Sequence, residues 1–404
     1  MTGGLLSLAE AQGRLLALAP VLPVEERPVQ QARGFYLPAD VAALVSRPAA
    51  ATSAMDGYAV RAADGAGPWR VIGESAAGHP FCAPVTAGEA VRIATGALLP
   101  PGADTVVIQE GCRRDAERLE LSAGMPQMGA NVREHGSDFA IGERLLAAGS
   151  AVSPASVALL LAGGHVRVPV RQRPSIAIMD SGDELAPAET PLGLGQVTAS
   201  NAAMLASMLA GLPCTINLSG PVPDRLDQVA AALDACGEAD IVVTTGGASV
   251  GDHDLIRPAL AAVGARLDFW KVAIKPGKPL LVAERHIAGR RQLILGLPGN
   301  PASAFVTAWL FLLPLVRAAL GADAPLPPTI PSRLAGSVPA TGGRAEFLRG
   351  RWDGTSVAPL PTQDSGALRT LAAANALILR PAHAPAEPVG AEVLIHWLEN
   401  GGFA

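Results

Sequence analysis

Cysteine is scarce in this 404-residue chain. Cys82, Cys112, Cys214 and Cys236 form no C-x-x-C pair, and the seven histidines form no H-x-x-x-H, so a zinc module and a disulfide scaffold are both poor readings. A reducing cytoplasm fits that usage. Aromatic residues make up 4% of the chain and charged residues 17%, with a formal net charge of -5. Such a balance gives no global attraction to nucleic acid or to an anionic membrane, and any anion must be recognised by a local site. The N-terminus shows neither a basic start nor a small-residue cleavage site, so no signal peptide is expected. The most apolar run, Phe305 to Val316, is interrupted by Pro314 and closed by Arg317, which predicts a core helix too short to span a bilayer. Nucleotide signatures are missing too. The only Gly-Lys, at 277–278, is followed by Pro279, excluding a P-loop, and Gly246 to Gly251 lacks the G-x-G-x-x-G spacing.

What is present is apolar and turn-rich. Hydrophobic residues make up 49%, with 44 Gly and 35 Pro, a composition that excludes long disorder and, at this length, predicts two to four domains. Ser7-Leu-Ala-Glu10 has the form of a capping box opening a helix that stops before Pro20, and residues 21 to 47 read as extended and proline-punctuated. Between Ala51 and Phe139, short runs such as Ala90–Thr95 and Thr105–Gln109 predict a small all-β unit. Ser153 opens a helix closed by Gly163-Gly164.

From Pro174 the pattern alternates. A strand at Ser175–Met179, a helix near Asn201–Leu209, a strand at Thr215–Leu218, a helix near Arg225–Ala235, a strand at Ile241, and helices near Leu255–Val263 and Ala302–Leu320 predict a doubly wound, mostly parallel α/β domain. The proline-rich stretch 321–331 reads as a stiff boundary. After it, apolar runs at Ala345–Arg349, Ser356–Leu360, Ala376–Leu379 and Val393–Trp397 predict a final β domain.

Three glycine-rich turns carry the chemistry. Ile241-Val-Val243 leads into Thr-Thr-Gly246-Gly247-Ala-Ser249, Trp270 leads into Lys271-Val-Ala-Ile-Lys275-Pro-Gly-Lys278, and Leu293-Ile-Leu295 leads into Leu-Pro298-Gly-Asn300-Pro301-Ala-Ser303. Turns after buried strands present backbone N–H groups at the carboxyl edge of a sheet, where open α/β sheets bind ligands. Lys275 and Lys278 flank Pro276-Gly277. Two ammonium groups ~6 Å apart would repel by roughly 3 kcal/mol at an effective dielectric near 20, so the pair makes sense beside a phosphorylated or otherwise polyanionic ligand. An isolated Lys-Pro-Gly-Lys would read as a solvated turn; three such turns on one sheet reverse that preference.

Read in order, Ser53-Ala-Met-Asp-Gly-Tyr-Ala59, Arg92-Ile-Ala-Thr-Gly-Ala97, Pro101-Gly-Ala-Asp-Thr-Val-Val107 with Gln109-Glu110, the Thr-Thr-Gly-Gly turn, Lys-Pro-Gly-Lys and Leu-Pro-Gly-Asn-Pro resemble the MoeA/gephyrin E-domain family of molybdopterin molybdenumtransferases over essentially the whole chain. The resemblance implies a magnesium-dependent insertion of molybdate into adenylated molybdopterin with release of AMP. It also implies a cytoplasmic homodimer of four domains: an elongated domain from 1–47 and 139–173, an inserted β domain at 48–138, a molybdopterin-binding α/β domain at 174–322, and a C-terminal β-barrel domain at 328–404. A molybdopterin adenylyltransferase and molybdoenzymes are the implied protein partners, with no role for nucleic acid or membrane.

By the same resemblance, Lys271, Lys275 and Lys278 match a basic segment, the last two assigned to oxyanions of molybdate or phosphate. Ser303, Arg349 and Ser365 match molybdate-pocket positions. Glu184, Asp224 and Asp254 match acidic positions suited to magnesium, a role Asp183 and Asp252 could share. Asp56, Thr95 and Asp138 match positions reaching the cleft from the other subunit, and Gly246, Gly247, Ser249, Pro298, Asn300 and Pro301 would line the pterin site. Taken singly, Asp56 reads equally as a turn residue, Asp183 and Asp252 as helix caps, and Arg349 as an exposed strand residue. Ser137, Ser181 and Thr362 depart from the family's usual acid, threonine and glycine. A binding scaffold without turnover and a molybdopterin adenylyltransferase are the alternatives; the second would not need the β-rich units on either side.

Overall fold

The computed structural model describes residues 5–122, 124–246 and 255–398. Near the start, Ser7 Oγ accepts from the Glu10 N–H at 3.2 Å and opens the helix Leu8–Ala17. Only one arm of the capping box forms, because the Glu10 carboxylate turns to Arg14 at 3.3 Å. The strand Val24–Pro28 then pairs antiparallel with Arg167–Arg171, and Val41–Ala42 pairs with Arg144–Leu146. Segments on either side of the inserted β unit are thereby joined.

That unit holds a six-stranded sheet in the order Thr105–Ile108, Gly57–Val60, Glu89–Ile93, Trp69–Ser75, Arg118–Leu121, Cys112–Asp115. Tyr58, Val60, Trp69 and Leu119 fill one face, and Ala59, Val91, Ile93 and Val106 the other. Gly57 is needed for this pairing, since a Cβ there would stand 2.0 Å from the Val107 carbonyl oxygen.

The α/β region is a six-stranded sheet in the order Thr215–Val222, Ser175–Ser181, Ile241–Thr245, Arg290–Leu297, Leu281–Ile287, Arg266–Trp270. Its first four strands are mutually parallel; Leu281–Ile287 runs antiparallel to Arg290–Leu297, and Arg266–Trp270 antiparallel to Leu281–Ile287. The chain leaves Ser175–Ser181 through the helix Asn201–Leu209 to reach one side, then crosses by Leu226–Ala235 to Ile241–Thr245 on the other. This reversal opens a crevice at the carboxyl ends of Ser175–Ser181 and Ile241–Thr245.

One sequence expectation needs correcting. The helix expected near Ala302–Leu320 forms from Pro301 to Leu320 with all but Pro301 and Ala318 buried, but Pro314 does not interrupt it. Proline lacks the N–H that the Leu310 carbonyl would take, so a helix survives there only with a local remedy. Two are present: the backbone widens into a π-turn over Ala308–Leu312, and Gln12 Nε2 donates to the Leu310 oxygen at 3.0 Å. Twenty residues would be long enough to cross a bilayer, but this helix is enclosed by the fold.

The last region is a closed five-stranded barrel of Ile330–Leu334, Ser356–Pro359, Ala345–Trp352, Ala376–Arg380 and Glu392–Trp397 around Leu334, Val357, Ile378 and Ile395. Ile330–Leu334 starts inside the stretch read as a boundary, and the helix Leu368–Ala373 carries no start signal in the sequence. A sixth, two-residue strand, Ile274–Lys275, comes from the α/β region and lies parallel on Ala345–Trp352. The α/β region and the barrel are thus stitched at the segment that carries the lysines.

Candidate functional site

The first cleft, of about 600 Å³, occupies the crevice where the strand order reverses. Asp180, Ser181, Glu184, Asp224, Gly246, Asn300 and Pro301 line it. Gly246 has φ +87°, and a Cβ there would fall 2.2 Å from the Ser181 carbonyl oxygen. Only glycine lets the strand-end turn approach its neighbour this closely. Asn201 Nδ2 donates to the Gly299 oxygen at 2.7 Å and so holds the Leu-Pro-Gly-Asn-Pro turn against the helix Asn201–Leu209.

Asp180 is the residue here that sequence reasoning missed. It is 3% exposed, and its carboxylate accepts from the Thr245 hydroxyl and, at 3.1 Å, from the Ala202 N–H in the first turn of that helix. The negative charge sits where the helix dipole favours it and ties the two strands at the crevice. Its signal was available: an acid directly after four apolar strand residues and before a Ser-Gly turn. Nearby, Ser181 Oγ donates to Asp224 Oδ1 at 3.1 Å, and the Asp224 N–H donates to Asp183 Oδ1 at 3.0 Å. The hydroxyl retained by Ser181 in place of the family's threonine therefore has a task. Glu184 and Asp224 both line the crevice, and carboxylates are the ligand type that a magnesium ion takes one or two of while keeping several waters. Among the described residues no group of three or more His, Cys, Asp or Glu could enclose a metal. Gly247, Ser249, Asp252, His253 and Asp254 lie outside the described residues.

The second cleft, of about 770 Å³, lies between the α/β region and the barrel and meets the first at Pro279, which lines both. It brings together Lys275, Lys278, Ser303, Arg349 and Ser365. Gly277 makes this possible, with φ +107° and a phantom Cβ 2.5 Å from Thr307 Cγ2, so the turn lies directly on the helix that carries Ser303. Lys275 is not a free cation: its Nζ stands 3.1 Å from Glu346 Oε1. Lys278 is exposed and has no ion-pair partner among the described residues.

Arg349 is not the exposed strand residue that it would read as taken singly, being 1% exposed. Its Nη2 donates to the Asp364 carbonyl at 3.0 Å, while Nε has no acceptor. Burial lowers its pKa, opposed by Asp364. Gln363 clamps the backbone: it accepts from the Arg349 N–H at 2.9 Å and donates to the Arg349 and Leu360 carbonyls at 2.9 and 2.8 Å. Asn300 Nδ2 donates to Ser365 Oγ at 3.0 Å, linking the clefts.

The remaining positions lie apart. Lys271 has φ +88°, donates its N–H to the Leu280 oxygen at 3.1 Å, and is not among the residues lining either cleft. Asp56 Oδ1 accepts from the Thr95 N–H at 2.7 Å and the Thr95 hydroxyl at 2.9 Å, bonds that hold its carboxyl below the usual range. Asp138 Oδ2 stands 3.4 Å from Arg47 Nε on the surface. Asp56, Thr95 and Asp138 are likewise not among the residues lining either cleft within one chain.

The chain is thus a multidomain α/β and β protein with an acid-lined crevice at the switch point of a doubly wound sheet, next to a cleft that gathers Lys275, Lys278 and Arg349 against a β-barrel. Residues 6–164 match the MoeA N-terminal region (domain I and II), 177–318 a probable molybdopterin binding domain, and 331–398 the MoeA C-terminal region (domain IV). The chain belongs to the MoeA family. It is 33% identical over 351 residues, 86% of each chain, to a molybdopterin molybdenumtransferase of Haemophilus influenzae. To the protein of that name from Synechococcus elongatus it is 34% identical over 394 residues, covering 94% of this chain and 96% of the other. The crystal structure of a molybdopterin biosynthesis moeA protein from Pyrococcus horikoshii OT3 superposes with a TM-score of 0.83 at 28% identity, covering 98% of this chain and 100% of that one.

Proposed function

We propose that this protein is a molybdopterin molybdenumtransferase that inserts molybdate into adenylated molybdopterin and releases AMP. The observation that carries the reading is the joining of two chemically different clefts at Pro279, one lined by Glu184 and Asp224, the other by Lys278, Arg349, Ser303 and Ser365. The substrate is long enough to need both. Its adenylated phosphates and pterin lie along the crevice against Gly246, Pro298, Asn300 and Pro301, and Gly247 and Ser249, outside the described residues, keep the pterin role that the family resemblance gives them. Lys278, Arg349, Ser303 and Ser365 receive molybdate as donors arranged before the anion arrives, which costs little reorganisation when charge builds up, and Lys275 joins them.

Arg349 offers a rigid fork and the serines neutral donors. Magnesium, held by Glu184 and Asp224 with Asp254 as a third candidate, would neutralise phosphate charge. Lys271 serves this site from the start of the lysine segment. Asp56, Thr95 and Asp138 complete the cleft from the second subunit of a homodimer. The division into 1–47 with 139–173, 48–138, 174–322 and 328–404 belongs to the same reading, as do cytoplasmic residence and exchange with an adenylyltransferase and molybdoenzymes. Purified protein given adenylated molybdopterin, molybdate and magnesium should release AMP stoichiometrically with molybdenum capture. No release under those conditions rejects the assignment.

A further inference from the structure

The basic cleft contains an acid with no part in the scheme above. Glu346 lines it among Lys275, Lys278, Arg344 and Arg349. Strand register puts it there: Ile274–Lys275 lies parallel on Ala345–Trp352 with Lys275 opposite Glu346. Residues paired across strands share a face, and the resulting ion pair closes to 3.1 Å. The Glu346 side chain retains 13% of its exposure and that of Lys275 51%, so the acid is the fixed member and the lysine the one free to swing. Asp364, the other acid of the lining, is already engaged through Oδ1 by the Gly366 N–H at 2.8 Å.

We propose that Glu346 is a built-in stand-in for the oxyanion, a positioning residue that holds Lys275 while the cleft is empty and gives it up when a tetrahedral dianion binds. A carboxylate here opposes any entering anion and occupies one of its donors. Only a ligand that reaches Lys278, Arg349 and the serines together offsets the lost pair, so small monovalent anions are turned away. The inference rests on the molybdate reading and deepens it.

Equilibrium dialysis with molybdate, read by elemental analysis, tests it on wild type and Glu346→Gln. The variant should bind molybdate about tenfold more tightly, corresponding to about 1.4 kcal/mol, and chloride should compete in the variant alone. Unchanged or weaker binding by a folded variant overturns the proposal. A second measurement needs no variant: in wild-type crystals soaked with molybdate, Lys275 Nζ should move beyond 4 Å from Glu346. An intact pair with molybdate seated on Arg349 and Ser365 refutes the stand-in while leaving the molybdate reading in place. Molybdate absent from this cleft removes both.

Discussion

Replacing Gln363 by alanine would test how Arg349, the arginine proposed to receive molybdate, is held. Three hydrogen bonds disappear, two of them to the Arg349 backbone and one to Leu360. At about 1 kcal/mol net for each, the loss is roughly 3 kcal/mol, less what water recovers at this half-buried site. The barrel core does not depend on these bonds, so we expect the cost to appear as a loosened Arg349 strand as well as a lower melting temperature. If about half reaches the binding step, KM for molybdate rises on the order of tenfold while KM for adenylated molybdopterin stays within twofold. Steady-state AMP release at varied molybdate, alongside thermal unfolding, reads both quantities. Gln363→Glu keeps the acceptor for the Arg349 N–H and loses both donors, so it should fall between. An unchanged molybdate KM in a folded Gln363→Ala protein would refute the positioning argument.

Lys278→Ala should cost turnover and leave stability within about 0.5 kcal/mol, since an exposed turn charge contributes little, whereas Lys275→Ala should also lower the melting temperature by stranding Glu346. Gly246→Ala, with its Cβ driven onto the Ser181 carbonyl at positive φ, should destabilise by more than about 2 kcal/mol in a denaturant titration. The depressed Asp56 carboxyl contributes stability that is fully present above the ordinary aspartate pKa and is lost as pH falls through the folded value. Carbon-detected NMR titration of Asp56 should therefore show a midpoint below that of a model aspartate, and Thr95→Ala should raise it.

The α/β region was readable because its strands are short apolar runs ending in Gly or Ser turns, a local signal for a local arrangement. The strand Ile330–Leu334 was hidden by Pro331, which is tolerated at its position in the barrel. Pairing of Val24–Pro28 with Arg167–Arg171 joins positions more than a hundred residues apart, and no single-window pattern reports such a contact. In the site, charged side chains near glycine turns announced themselves, while Asp180 and Gln363 did not. Both act on backbone or hydroxyl groups, so their roles depend on what the fold brings beside them. Pro314 misled for the same reason: Gln12, nearly three hundred residues upstream, takes the carbonyl it leaves over.

The strand Ile274–Lys275 works as a dowel between two bodies. Because the Ala345 N–H also bonds the Ala273 oxygen at 2.9 Å, the barrel has a fixed pivot on the α/β region beside the lysine turn. The Ala302 N–H bonds the Ser365 oxygen at 3.0 Å and Asn300 Nδ2 the Ser365 hydroxyl, so a second tie braces the basic cleft, and a swing of the Lys275 side chain needs neither wall to move.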